Sequence, residues 1–223
     1  MKKVLDCNNI QVYDNVITEE EFQKLHNWFN VIPYAWKNAQ EEWNKSWSTT
    51  DGSILLSRKM MFSPLLNDTL AEEDQPLSPV LNQIRQAIDS FIGIENIEKV
   101  GITPYVWPPG VGLSWHSDSN YIGTFTYYVH KQWGANWSGE FLTVEADDYI
   151  EKPEGLKWRV FDNQELDDLI VDHGIGHFIH PKPNRLVIGR AGKNGILHKV
   201  NRSTLQAKDR LTLQGFLFKN EKI

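Results

Sequence analysis

Three side chains spread along the chain have the types and the spacing of a metal site. The stretch WHSDSN places His116 and Asp118 two residues apart, between two segments that read as strands. His198 comes far downstream in GILHKV, just after the strand-like run RLVIGR. Two imidazoles and one carboxylate suit a borderline divalent ion and leave three coordination positions open, the ligand set of non-haem Fe(II) centres. Residues two apart on a strand point to one face, so an HxD pair there presents both groups to the same side. Taken alone, the pair reads equally well as two polar residues on a strand surface.

A second constellation separates these readings. Arg210 and Thr212 stand two apart in KDRLTLQGF, on a run that reads as a strand. A core-facing arginine is costly unless its charge is paired, and a bidentate carboxylate would satisfy it. With the Thr212 hydroxyl beside it, Arg210 makes a small site for the distal carboxylate of a chelating dicarboxylic acid. Cofactor and ligand set then belong to one pocket.

The elements that must position these groups are legible in outline. VITEEEFQKLHNWF opens with Thr18 and Glu21 in capping-box spacing and continues with Phe22, Leu25, Trp28 and Phe29 on one helical face. A second helix is expected from Ser78 as cap and Pro79 as first helical residue, with Val80, Ile84, Ile88 and Phe91 on one face, ending at Gly93. The intervening segment 33–77 reads as loops with a short strand near Ile54–Leu56. From residue 97 the pattern changes to short apolar runs: EKVGITPYVW, IGTFTYYVH, EFLTVEA, KWRVF, RLVIGR and RLTLQGFLF. In IGTFTYYVH, Thr124, Thr126 and Tyr128 alternate with Phe125, Tyr127 and Val129, so one face goes to the core. This texture predicts an α+β, mainly β fold: a sandwich or barrel with the leading helices on one sheet's outer face. The polar stretch from Asp147 to His177 reads as a loop excursion.

Composition bounds the function. At 223 residues the chain is sized for one domain or two small ones, and 40% hydrophobic content is ample for a core. Nine tryptophans imply a broad β core or an aromatic-lined pocket. The net charge of −6, with no basic stripe, disfavours a nucleic-acid partner. Cys7, the single cysteine, excludes an internal disulfide framework and fits a reducing cytoplasm. The start lacks the apolar stretch of a signal peptide and no run approaches a membrane span, so a cytoplasmic protein without a membrane partner is expected. The sequons at Asn67, Asn136 and Asn201 then carry no meaning.

The ordered set HSD…H…RLT resembles the 2-oxoglutarate- and Fe(II)-dependent oxygenases, in particular their prolyl-hydroxylase-like branch. YYVHKQW followed by SGEFLTV is similar to that branch's tyrosine-bearing strand, tryptophan turn and GGE-type strand start. PKPNRLVIGRAGKNGILHKV resembles its segment around the distal histidine, and NVITEEEFQKL its entry helix. The likeness covers most of residues 10–220 and fades over 33–77 and 147–175. It implies a double-stranded β-helix (jelly-roll) core at 97–220 behind a helical, loop-rich part at 1–96, in one catalytic domain spanning 1–223. It implies His116, Asp118 and His198 as Fe(II) ligands and Arg210, helped by Thr212, as partner of the 2-oxoglutarate C5 carboxylate. Tyr128 would donate its hydroxyl to the same carboxylate. The retained Asp118 resembles a hydroxylase, desaturase or other oxidative enzyme rather than the related halogenases, in which a small residue makes room for chloride. The implied reaction consumes O2 and 2-oxoglutarate and hydroxylates an unactivated C–H bond, releasing succinate and CO2. Val129-His130 departs from the branch's Leu-Asn, so the local turn is expected to differ.

Other readings stand beside these. A cupin-like metal enzyme could use the same ligands without 2-oxoglutarate, though it has no need for a buried Arg210. A jelly-roll binding module could use the tryptophans as stacking platforms. His173, His177 and His180 in HGIGHFIH have zinc-like spacing, but the two glycines and Pro181 argue for a loop near the pocket mouth. Trp36, Trp43 and Trp47 are candidates for the substrate entrance, a packed lid or plain core, and Asp147-Asp148 for a basic substrate or a solvated turn. A small-molecule or peptide substrate is expected, with recognition in 33–77 and 147–180, and a monomer or weak homodimer.

Overall fold

The computed structural model describes residues 1–7, 9–37, 51–63, 70–91, 94, 96–118, 121–144, 164–173, 175–191 and 195–219. The chain opens with strands β1 (Lys2–Cys7) and β2 (Ile10–Asp14). Helix α1 (Glu19–Val31) follows, as the capping box predicts. Thr18 Oγ1 accepts from the Glu21 backbone N–H at 3.3 Å, and the Glu21 carboxylate accepts from the Thr18 N–H at 2.9 Å. Its Phe22, Leu25, Trp28 and Phe29 are buried. Thr18→Ala removes the cap and is expected to cost about 1 kcal/mol, lowering Tm by about 2–4 °C in a domain of this size. A thermal melt checks it, with the metal site unaffected.

Short strands β3 (Ala35–Lys37), β4 (Ile54–Leu56) and β5 (Met60–Phe62) precede helix α2 (Ser78–Asp89). Ser78 is not the cap expected for α2. A 3-10 turn over Glu72–Leu77 leads into the helix and the Ser78 N–H already bonds to the Gln75 carbonyl, so Leu77 occupies the cap position. The expected end at Gly93 lies outside the described residues, and the helix itself closes at Ser90. The N-terminal part is therefore richer in strands than its loop-like sequence implies.

The remaining strands are β6 (Ile97–Trp107), β7 (Leu113–His116), β8 (Gly123–Tyr128), β9 (Phe141–Val144), β10 (Gly176–Ile179), β11 (Arg185–Arg190), β12 (His198–Val200) and β13 (Arg210–Lys219). Helix α3 (Gln164–His173) precedes β10. The loop expected over 147–177 is thus corrected for its second half, which is a helix followed by a strand pairing with β9. The strand candidate KWRVF, with Trp43, Trp47, Asn67, Asp147 and Asp148, lies outside the described residues.

Among the described residues these strands form two antiparallel sheets. The larger runs β1-β2-β11-β8-β13-β6-β4-β3 with β5 also on β6, and the smaller β10-β9-β12-β7. One face of the larger sheet packs against the helices: Phe125, Tyr127, Leu211, Leu213 and Leu217 share a core with Leu25, Phe29, Ile84 and Ile88. The other face meets the smaller sheet through Val12, Tyr128 and Val187 against Phe141, Ile179 and Val200. Period-two alternation therefore sends Leu211 and Leu213 towards the helices and Arg210 and Thr212 between the sheets. Gly215 is required on the helix side, where a Cβ would fall 2.0 Å from the Phe125 ring.

Strands β1 and β2 escape sequence reading for a physical reason. β1 is mostly exposed, and β2 is wholly buried yet carries Gln11 and Asp14. Those polar groups are paired: Gln11 accepts from the Tyr13 hydroxyl at 2.6 Å, and Asp14 from Arg185 Nε at 2.6 Å and Lys182 at 2.8 Å. Burial works to raise the Asp14 pKa, but Arg185 and Lys182 outweigh it and hold the carboxyl below its usual range.

Candidate metal centre

His116 closes β7 and His198 opens β12, and the two strands pair with these residues directly opposite. The imidazole centroids stand 4.2 Å apart. Asp118 lies past the end of β7, which corrects the expectation that both members of the HxD pair sit on one strand face. Its carbonyl accepts from the Tyr121 N–H at 3.2 Å. Its carboxylate faces both histidines: Oδ1 is 3.8 Å from His116 Nε2 and Oδ2 is 3.7 Å from His198 Nε2. One donor atom from each residue lies within 4.8 Å of the others. The separations are long for hydrogen bonds, and small side-chain shifts let all three atoms share one ion at bond lengths of about 2.0–2.2 Å.

The tautomers fit a metal. His116 Nδ1 is 2.7 Å from the Ser114 carbonyl, and His198 Nδ1 is 3.3 Å from that of Ile196. A carbonyl only accepts, so each Nδ1 carries a proton, and each Nε2 faces the Asp118 carboxylate. This is the arrangement by which outer partners orient metal-binding imidazoles. His198 is further held by stacking on Phe141, at 4.9 Å and 22°.

Arg210 lies between the sheets at 1% exposure. Its Nη1 donates to the Gly139 carbonyl at 3.1 Å and approaches that of Asn201 at 3.5 Å, and its guanidinium lies 4.9 Å over the Trp107 ring. Nη2 is buried without a partner. Burial pulls the Arg210 pKa down to about 10, opposed by Tyr128 and Glu140, so the side chain remains a cation at neutral pH. Gly139 makes room for it: at φ +85° it occupies the left-handed region, and a Cβ there would lie 2.8 Å from Nη1.

Thr212 accepts from Trp107 Nε1 at 3.0 Å, which leaves the hydroxyl proton to donate. Tyr128 is its direct cross-strand neighbour and is fully buried. Burial pushes the Tyr128 phenol up to about 12 despite Arg210 and Arg185, so it is a proton donor at neutral pH. The six residues singled out in the sequence thus form two groups in the space between the sheets. Asn201, beside Arg210, is three residues along from His198, about 10 Å of strand.

Several contributors were not read from the sequence. Trp107 is the platform for Arg210 and the donor to Thr212; it stands opposite Arg210 in the β6–β13 register, which no sequence signal gives. Glu140 accepts from Ser138 Oγ at 2.8 Å and from Asn201 Nδ2 at 3.0 Å, tying together the strand ends on which Arg210 rests. Beyond Asp118, the Tyr121 ring packs at a tilt on Phe216 at 4.4 Å and meets Phe218 edge-on at 5.1 Å, an aromatic shelf on the partly exposed side.

The remaining histidines are elsewhere. His177 lies on β10 and His180 Nδ1 is 3.9 Å from Glu140, while His173 ends α3. Among the described residues no second metal-holding group of three forms. The Val129-His130 departure has a structural outcome. His130 is buried, donates from Nε2 to the Pro181 carbonyl at 2.9 Å, and packs on Trp133 at 4.8 Å. Burial lowers its pKa to about 4, so it is neutral. Trp36 is 65% exposed on β3, which rules out a core role.

No family model matches the sequence, and no curated protein matches it. Solved structures do match the fold. A prolyl-4-hydroxylase from Pseudomonas putida superposes with a TM-score of 0.60 at 15% identity, covering 96% of this chain and 94% of that one. A prolyl hydroxylase from Trichoplax adhaerens, in complex with a hypoxia-inducible-factor peptide fragment, gives 0.56 at 12% identity over 96% and 85%. HygX from Streptomyces hygroscopicus, with nickel and 2-oxoglutarate bound, gives 0.51 at 10% identity over 96% and 84%. The fold is therefore the one these proteins adopt. At such identities the likeness extends to the fold and leaves function to the site.

Proposed function

We propose that this chain is an Fe(II)- and 2-oxoglutarate-dependent oxygenase, a single catalytic domain whose two sheets form a double-stranded β-helix (jelly-roll) core. The observation that carries the reading is the buried Arg210, with one guanidinium nitrogen unpartnered, in the same inter-sheet space as the His116/Asp118/His198 set. A cation desolvated in this way, above an indole and beside two hydroxyl donors, has the chemistry of a carboxylate receptor. His116, Asp118 and His198 would hold the iron, and Arg210, Thr212 and Tyr128 the far carboxylate of the cosubstrate.

When bound, iron, 2-oxoglutarate and O2 supply the oxidising power: one oxygen atom goes to the substrate as hydroxyl, the other to succinate, and CO2 leaves. The protein's own part is geometric and electrostatic. Backbone carbonyls fix the imidazole tautomers, Arg210 orients the cosubstrate by its anionic end, and the apolar inter-sheet core excludes water.

The substrate is proposed to be a small molecule, an amino acid or a peptidyl residue approaching over the Tyr121–Phe216–Phe218 shelf. The peptide held by the Trichoplax enzyme supports the peptidyl option. Among the described residues no helix is long and apolar enough to cross a membrane. A cytoplasmic monomer or weak homodimer, without nucleic-acid or membrane partners, completes the proposal.

The test is the anaerobic visible spectrum of apo protein mixed with Fe(II) and 2-oxoglutarate. A metal-to-ligand charge-transfer band is expected, and succinate release on admitting air and substrate. Iron binding with no band would sink the 2-oxoglutarate assignment, and no iron binding would sink the metal assignment.

A further inference from the structure

Strand β7 carries His116 and, among the described residues, is the edge of the smaller sheet, pairing on one side with β12. An edge strand has a row of outward N–H groups that must find acceptors, and it drifts where they do not. Among the described residues, Asp51 supplies acceptors on that side of β7. Its backbone carbonyl accepts from the Gly112 N–H at 3.0 Å, its Oδ2 from the Ser114 N–H at 3.0 Å, and its Oδ1 from the Ser114 hydroxyl at 3.0 Å. The next link is Ser114 itself, whose carbonyl takes the His116 Nδ1 proton at 2.7 Å. Asp51 is 4% exposed, so these bonds face little competition from water.

Asp51 is also anchored at its other end. Three residues on, β4 begins at Ile54, fully buried, and pairs with β6 at Leu55–Val106 and Leu56–Tyr105. Strand β6 in turn pairs with β13, placing Trp107 opposite Arg210 and Tyr105 opposite Thr212. The chain from Asp51 to Leu56 therefore connects the sheet that holds the carboxylate receptor to the edge strand that holds the first metal ligand. From this arrangement we infer that Asp51 is a positioning residue for the metal centre: by standing in for a neighbouring strand beside β7 it fixes Ser114, and through Ser114 the ring of His116. The inference rests on the metal reading above. No carboxylate of Asp51 needs to touch the ion. Its effect passes through one backbone carbonyl, in the manner of the outer partners that orient metal-binding histidines.

Asp51→Asn keeps the size of the side chain but turns one acceptor into a donor facing Ser114. The experiment titrates wild type, Asp51→Asn and Thr18→Ala apo proteins with Co(II), following the visible ligand-field bands, with a thermal melt of each. The wild type is expected to bind, and Asp51→Asn to bind about 10–100-fold more weakly with altered bands. Thr18→Ala loses stability far from the site and keeps wild-type affinity and bands, which separates positioning from general destabilisation. If Asp51→Asn does not accumulate folded, Asp51→Glu is read in the same way, its extra methylene displacing Ser114. Wild-type affinity and bands in the folded variant overturn the role of Asp51. A wild-type protein that binds no Co(II) overturns the metal reading itself, a distinct result.

Discussion

His198→Ala is expected to abolish tight metal binding and with it all 2-oxoglutarate turnover. Three donors within 4.8 Å become two, and the loss should exceed the roughly 10–100-fold that removal of a ligand's outer partner costs. The substitution also removes a buried ring at 5% exposure that stacks on Phe141 and packs against His116, so some stability is lost as well. The two effects separate by measurement. Metal affinity read from Co(II) bands on protein shown folded by circular dichroism isolates the first, and the melt reads the second. Retention of wild-type Co(II) affinity by folded His198→Ala protein would remove His198 from the ligand set.

Arg210→Met should divide binding from stability. The variant replaces a desolvated cation, one of whose nitrogens has no partner, by an apolar side chain of similar length. Truncating one side of a buried charged pair costs about 3–5 kcal/mol, so 2-oxoglutarate affinity is expected to fall by about 10²–10³-fold or more. The apo protein should unfold no earlier than wild type, because relief of the buried charge offsets the loss of the Nη1 bond to Gly139. A matched pair of melts checks both halves. With Mn(II) present, 2-oxoglutarate at about 100 times its wild-type Kd should stabilise wild type by about 2.7 kcal/mol and Arg210→Met by about 0.4 kcal/mol or less. A ligand-induced shift of wild-type size in the variant would show that the carboxylate lies elsewhere. A severe loss of apo stability would instead make Arg210 a structural residue.

These two sites were visible in the sequence to different degrees. His116, Asp118 and His198 are a set of residue types with few other uses in that combination, and Arg210 with Thr212 shows a charge at a strand position that should be apolar. The helix at Thr18 was equally plain, since capping is local chemistry carried by side chains four positions apart at most. The second helix was placed well and its cap misread, because the 3-10 turn that satisfies the Ser78 N–H has no sequence signal of its own. Strand β2 was missed because its Gln11 and Asp14 look solvent-bound until Tyr13, Lys182 and Arg185 are brought to them. The segment ending in α3 and β10 was read as loop for a similar reason: its strand exists only by pairing with β9.

What the sequence by itself determined is the inventory of chemistry: which side chains can bind a metal, which can receive a carboxylate, and which faces must be apolar. These follow from residue type and from periods of 2 and 3.6, which are properties of the chain alone. The tertiary structure decided the distances. Asp118 meets its histidines from beyond the end of the strand rather than by strand periodicity, and Trp107 comes under Arg210 through the β6–β13 register. Asp51 reaches Ser114 across 63 residues of sequence. Such contacts join segments far apart in the chain and depend on how two sheets pack, and no local pattern of residues encodes that packing.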